Sequence, residues 1–315
     1  MKSVFITTLV FYSYSLFAQF HVNMDRWITN LPDAKRQAEH VYNLDLSGQH
    51  LKEVPKEIVD FVNLEALKLS DNDILHLDGR LKTLKELKFV ELSGNRMYSI
   101  DFSEFEGSKY SLEEIWIRDN NLRKVEGISN HFERLKVLDL GGNLLTDFPE
   151  DIQLPALVSL DLDANQLTTL PEFLTSTTKL KTLNLSGNQL AAFELSPSLR
   201  KLKALDLSDN PLKEIGWGSH KVKVKKLILD WVSLSEADIQ SMPKSLEILS
   251  LEHCGLSSIS GIENLRNLKE LSLLHNEIRE LPVDFQRIKN LKKLWVGGNP
   301  LQDLSRVNPK VEIVD

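Results

Sequence analysis

The pattern L-x-x-L-x-L-x-x-N-x-L returns twelve times, and the residue in its Asn slot marks each copy: Gln49, Asn72, Asn95, Asn120, Asn143, Asn165, Asn188, Asn210, Val232, Cys254, Asn276 and Asn299. Successive marks lie 22 to 25 residues apart. Spacing this regular describes one supersecondary unit stacked on itself, each copy burying its apolar face only against its neighbours. It overrides the two-domain expectation that 315 residues would otherwise raise. Function in such a chain sits on a surface shared by successive units rather than in a single cleft.

Within a unit, stretches such as Leu44-x-Leu46, Leu67-x-Leu69 and Leu160-x-Leu162 alternate like a strand, leucines inward and x positions outward. Twelve such strands, parallel and ~4.8 Å apart, make one long sheet. After the Asn the chain turns and runs back through a helix or helical turn. Pro55, Pro149, Pro171 and Pro282 stand in that return leg, where Pro suits a first helical turn. The Asn amide carries donors and an acceptor, so a buried column of them can satisfy the backbone groups left open at each turn. Val232 breaks this column and Cys254 half replaces it. Nearby runs His220-Lys221-Val222-Lys223-Val224-Lys225-Lys226, read as a solvated strand start, with an irregular contact site as the alternative.

The two ends differ from the array. Residues 1–18 pair a short positive start with an apolar stretch from Val4 to Phe17 and a small Ala18, the make-up of a secretory signal peptide. Residues 19–40 read as a helical cap, with Asp33 to His40 helix-prone and Trp27, Ile28 and Leu31 available to cover the first apolar face. Twelve units fill 41–304, and 305–315 form a thin cap around Val311-x-Ile313. No later stretch reaches the ~18 consecutive apolar residues of a membrane span.

These residues resemble the leucine-rich repeat family, and the resemblance covers the whole of 41–304. Units such as Leu157-Val-Ser-Leu160-Asp-Leu162-Asp-Ala-Asn165-Gln-Leu167-Thr-Thr-Leu170-Pro171 look like the typical class; those with Gly127-Ile128 or Gly261-Ile262 look like the shorter class of intracellular and bacterial members. The resemblance implies an α/β solenoid: a right-handed horseshoe with a parallel sheet on its concave face and short helices or turns outside. It also implies a protein-binding scaffold whose partner docks on the concave face.

Aligning the units sets the outward residues side by side. The x between the inner leucines reads Asp45, Lys68, Glu91, Trp116, Asp139, Asp161, Asn184, Asp206, Ile228, Ser250, Ser272, Trp295. The next outward position reads Ser47, Ser70, Ser93, Arg118, Gly141, Asp163, Ser186, Ser208, Asp230, Glu252, Leu274, Gly297. Three regions emerge: an aromatic and charged group of Phe89, Glu91, Trp116 and Arg118; an acidic middle of Asp139, Asp161, Asp163, Asn184 and Asp206; and a more apolar third with Ile228, Trp231, Leu274, His275 and Trp295. Exposed Trp and Arg are typical binding anchors. The competing reading lays Trp116 and Trp295 flat as cross-strand cover. An acidic groove would select a basic partner, whereas small polar residues could simply keep the sheet soluble. His253 and His275 share a slot with Asp209 and Trp231, raising a metal pair or a pH-sensitive contact beside mere exposed imidazoles.

Catalysis finds no foothold: the phosphate-loop, serine-elbow and zinc-helix motifs are missing, and the single Cys254 falls in an inward slot. The net charge of −7 argues against nucleic acid as the main partner. The sequence therefore predicts an exported, non-enzymatic scaffold without cofactor or metal, recognising another protein through Phe89, Glu91, Trp116, Arg118 and the aspartates Asp139, Asp161, Asp163, Asp206 and Asp230, with Trp231, His275 and Trp295 as a second cluster. The rivals are a surface component binding glycan and a cytosolic regulatory scaffold.

Overall fold

The computed structural model describes residues 26–127, 132–150, 152–218 and 223–314. The expected signal segment 1–18 lies outside them, as do Ile128 and His220 to Val222. Thirteen strands form one open parallel sheet in sequence order, from Asn43–Asp45 to Glu312–Val314. Twelve come from the repeats; the thirteenth, Glu312–Val314, falls in the segment 305–315 and pairs with Lys293–Trp295. Two side pairs, Ser99–Asp101 with Lys124–Glu126 and Ala192–Glu194 with Glu214–Gly216, tie adjacent return legs together. The result is an α/β solenoid of horseshoe type, as the repeat implied.

Each strand has only three residues because the chain must turn, return and step one strand spacing within a single period. Its middle residue points inward and is buried in strand after strand, as at Leu44, Leu67, Ile115, Leu160 and Leu227. On the outer side the return legs are mostly single 3-10 turns, such as Lys56–Asp60 and Glu172–Thr175, each preceded by a Pro at φ −56°. Units of 22–23 residues leave little room for a longer α-helix. The return leg Glu236–Ser241 is the one described leg with an α-helix, fixed by a Ser235/Asp238 capping box. Phenylalanines fill the wider outer core edge to face: Phe102–Phe132 at 5.8 Å and Phe148–Phe173 at 5.4 Å.

The helix read between Asp33 and His40 is shorter and earlier, Leu31–Arg36, started by Asn30, whose side chain accepts from the Asp33 N–H. A 3-10 turn Ala38–His40 follows. Ile28 extends the sheet by a bridge to Leu44, so the first apolar face is covered.

Asn side chains fasten the units to one another. Asn165 Nδ2 donates to its own unit at Leu162 O (3.2 Å) and Asp163 O (3.1 Å), and to the preceding unit at Leu140 O (3.0 Å). Its Oδ1 accepts from Leu145 N, again in the preceding unit, at 3.0 Å. The same set recurs at Asn72, Asn95, Asn143, Asn188 and Asn276. At Val232 the column is interrupted; its backbone N–H takes Leu229 O (3.1 Å), and Cys254 Sγ donates to the same carbonyl at 3.2 Å. Burial pushes that thiol up to about 12, so it stays protonated. Replacing Asn165 with Ala strands several of these groups and should cost about 2–3 kcal/mol in urea unfolding. An unchanged stability would show that the column is not what holds the units.

Candidate partner-binding face

The register matches the columns read from the sequence. Glu91 lies opposite Trp116, Trp116 opposite Asp139, Asp139 opposite Asp161, Asp161 opposite Asn184, and Asn184 opposite Asp206. What the sequence did not anticipate is how little of this face water reaches. Asp139 is 1% exposed, and Asp161, Asp206, Asp230, Ile228 and Trp295 are also buried. Strands ~4.8 Å apart crowd a short side chain between the residues on either flank. The reading of these aspartates as an exposed solubilising row is therefore corrected.

The short acids turn back onto the backbone. The carboxylates of Asp45, Asp139, Asp161 and Asp206 accept from the N–H two residues ahead, at Ser47, Gly141, Asp163 and Ser208, at 2.9–3.0 Å. Asn184 does the same with Ser186. Asp230 instead bridges forward, taking Ser250 Oγ at 2.6 Å and Glu252 N at 2.9 Å. These side chains fasten the carboxyl ends of the strands as the Asn column fastens the turns.

A hollow of about 410 Å³ opens on this face, lined by Glu91, Ser93, Trp116, Arg118, Asp139, Asp161, Asp163 and Asn184. Arg118 crosses it. Its Nη1 and Nη2 meet Asp163 Oδ1 and Oδ2 at 2.6 and 2.8 Å, with Asp139 and Asp161 each 3.8 Å away. The pair spans two units over Gly141, where a Cβ would overlap both Arg118 Nη1 and Asp163 Oδ1. Sequence reasoning put Arg118, Gly141 and Asp163 in one column without seeing that the glycine is the passage between them. Arg118 is thus committed to its own chain. Trp116 is half-buried, its indole N–H donating to Glu114 Oε2 at 3.2 Å. Phe89 is half-buried opposite Glu114 and is not part of the hollow's lining.

The expected second cluster divides. Trp295 is buried in the x column, with Lys293 Nζ 5.1 Å from its ring centroid. Trp231 and His275 belong instead to the turn slot just before the Asn position, with Asp209 and His253; these four have φ of 63°, 55°, 52° and 56° in that order. There Trp231 stacks on His253 (3.9 Å, 9°) and His253 on His275 (4.4 Å, 17°). Left-handed backbone costs roughly 1–2 kcal/mol at a residue with a Cβ, and stacked rings return about 0.5–1.5 kcal/mol per pair. The stack falls where Val232 and Cys254 interrupt the Asn column, so the turn is held from outside where it is less well held from within. Nearly parallel rings aim their nitrogen lone pairs side by side rather than at one point, which disfavours a shared metal. His253 was the link that sequence reasoning left out of its sites. Burial, then the neighbouring His275, lowers its pKa.

Burial also decides the charge states of the acids. It raises Asp139 and Asp161, with Arg118 opposing; it raises Glu91; and it carries Asp206 to about 6 and Asp230 to about 7. One oxygen of Asp206 has no hydrogen-bond partner, the arrangement a protonated carboxyl tolerates best. For Arg118, burial lowers the pKa, but Asp163, Asp139 and Asp161 together hold it above its ordinary value. A carboxyl whose folded pKa exceeds its unfolded one stabilises the fold below its unfolded pKa and loses that contribution as pH rises through the folded value. Asp230→Asn, which mimics the protonated acid, should therefore raise the urea midpoint at pH 8 and make no difference below about pH 4. A variant less stable than the parent at pH 8 would contradict the burial argument.

A family model described as Leucine Rich repeats (2 copies) matches residues 133–176 and 178–219. Human oligodendrocyte-myelin glycoprotein is 26% identical over 275 residues, 83% of this chain and 60% of its own length. Mouse podocan is 30% identical over 302 residues, 84% of this chain and 45% of its own length. The chain thus spans less than two thirds of either relative. An internalin (inlF) from Listeria monocytogenes shares the fold at 20% identity and a TM-score of 0.64, over 89% of this chain and 88% of that one. Twelve repeats in register, the open parallel sheet and these matches make the chain a leucine-rich repeat protein.

Proposed function

We propose that the protein is a non-enzymatic scaffold that binds a partner protein on its concave face, centred on the hollow between Glu91 and Asn184. The hollow itself carries the reading. It falls in the ~300–1,000 Å³ range of ligand-holding clefts, and one wall is an indole whose N–H is already held by Glu114. A ring fixed beforehand loses little freedom on binding. Around it stand Glu91, Asp139, Asp161 and Asp163 against the single cation Arg118. An excess of carboxylates suits a Lys or Arg side chain from the partner. Asp206 and Asp230, buried and bonded to their own chain, shape the floor of the face beyond the hollow, whereas Trp231 and His275 offer an accessory contact at the rim, with Trp231 58% exposed.

The proposal includes export of the mature chain, on the strength of residues 1–18; a mature amino terminus at Gln19 supports it, and one at Met1 leaves the cytosolic scaffold. A photo-crosslinking residue placed at 116 should yield a partner adduct that the same residue at exposed Val62, outside the sheet, does not. Trp116→Ala should then weaken that partner about tenfold or more, which is about 1.4 kcal/mol, at a temperature and urea concentration where circular dichroism shows the variant still fully folded. Equal adducts at both positions, or unchanged affinity, would remove the concave hollow as the site.

A further inference from the structure

The chain carries a second charged surface, of opposite sign, on the amino-terminal edge of the sheet. Lys181, Lys203 and Lys225 immediately precede the strands Thr182–Asn184, Ala204–Asp206 and Lys226–Ile228 of the seventh to ninth units. They are successive rungs: Lys203 N–H donates to Lys181 O at 2.8 Å, and Lys225 N–H to Lys203 O at 2.9 Å. Two residues earlier, across the buried Leu180, Leu202 and Val224, stand Lys179, Lys201 and Lys223. The outcome is two rows of three ammonium groups, with rungs ~4.8 Å apart. Residues 179–181, 200–203 and 223–226 together hold eight basic side chains and no acidic one, in a chain of net charge −7.

In the second to fifth units this same slot alternates in sign, and pairs form across the units, although Lys269 and Lys292 follow one another in the last two. Lys88 meets Glu65 at 2.9 Å and Lys136 meets Glu113 at 2.7 Å, while Glu247 pairs with both Lys225 and Lys269. Only in the seventh to ninth units do three lysines follow one another there, so that Lys203 has a lysine on each side. Like charges directly opposite on neighbouring strands destabilise a sheet. The edge therefore bears a repulsion centred on Lys203, which has a lysine on each side, and a bound polyanion would relieve it.

We propose that this edge binds a linear acidic polysaccharide, its sulfate or carboxylate groups seated between the two lysine rows. The three segments contain no aromatic side chain on which a nucleic-acid base could stack. Their apolar residues are buried, leaving nothing to insert into a lipid surface. What remains is a regular array of flexible point charges, suited to a polymer that presents repeated anionic groups and hydroxyls. Lys223 and Lys225, part of the basic run singled out in the sequence, thus belong to columns that cross units rather than to a local irregularity. The surface lies at the starts of the strands and the concave hollow near their ends, so the two could be occupied independently.

The test uses the full chain and a fluorescently labelled heparin fragment, titrated at about 0.15 M ionic strength and again at higher salt. The parent should bind, with affinity falling steeply as salt rises. Lys181→Gln/Lys203→Gln/Lys225→Gln should bind at least about tenfold more weakly and with a flatter salt dependence, because three released counterions are lost. Its urea midpoint should be unchanged or raised, since a repulsion has been removed. Lys52→Gln/Lys56→Gln/Lys85→Gln, an equal loss of charge from exposed positions in the first units, should stay within about twofold of the parent. No binding by the parent, an equal loss in the control, or tighter binding of oligothymidylate or phosphatidylserine vesicles than of heparin would overturn the proposal.

Discussion

The whole arrangement hangs on a side-chain amide doing what a parallel ladder cannot do at its ends. A three-residue strand leaves carbonyls and N–H groups at the turn with no partner in the sheet, and burying them unpaired is expensive. Asn165 answers four of them at once, two within its unit and two in the unit before. Because two of those bonds cross to the preceding unit, the amide fixes the step between units as well as the turn. Register follows from that, and with register come the columns of side chains from which any binding surface must be made.

Crowding then determines what those columns can be. On the concave side each x residue is flanked at one strand spacing by two others, so short acids are driven below the surface and turned onto the backbone. Their carboxyls become structural acceptors with raised pKa values instead of a row of free charges. Where a cation is needed, Arg118 reaches across two units because Gly141 leaves the space. The amino-terminal edge has no such enclosure, and its lysines stay in water. One chain therefore presents two unlike surfaces: an acidic, partly enclosed hollow and an open basic edge.

Much of this was legible in the residues. The period gave the solenoid, the alternating leucines gave the inward face, and the aligned x positions gave the side-by-side pairs from Glu91 to Asp206 that the register contains. Depth was not legible. A column of letters does not say how far an Asp sinks between neighbours, and Trp295 reads the same buried as exposed. Nor does it tell that Trp231 and His275 sit in a left-handed turn, where their rings stack through His253. The opposite charges at Arg118 and Asp163 on either side of Gly141 were a usable signal, overlooked because glycine was read as an empty place.

A double-mutant cycle on Arg118→Met and Asp163→Asn reaches the heart of the account, because these residues are 45 positions apart and meet only if two units are stacked in the register described. Measured by urea unfolding at pH 7, the two substitutions should couple by about 1 kcal/mol or more, within the range for contacting charged pairs. Adding Gly141→Ala should abolish most of that coupling, since its Cβ occupies the passage. Simple additivity to within about 0.3–0.5 kcal/mol, the behaviour of distant residues, would mean that the units do not present their side chains in these columns.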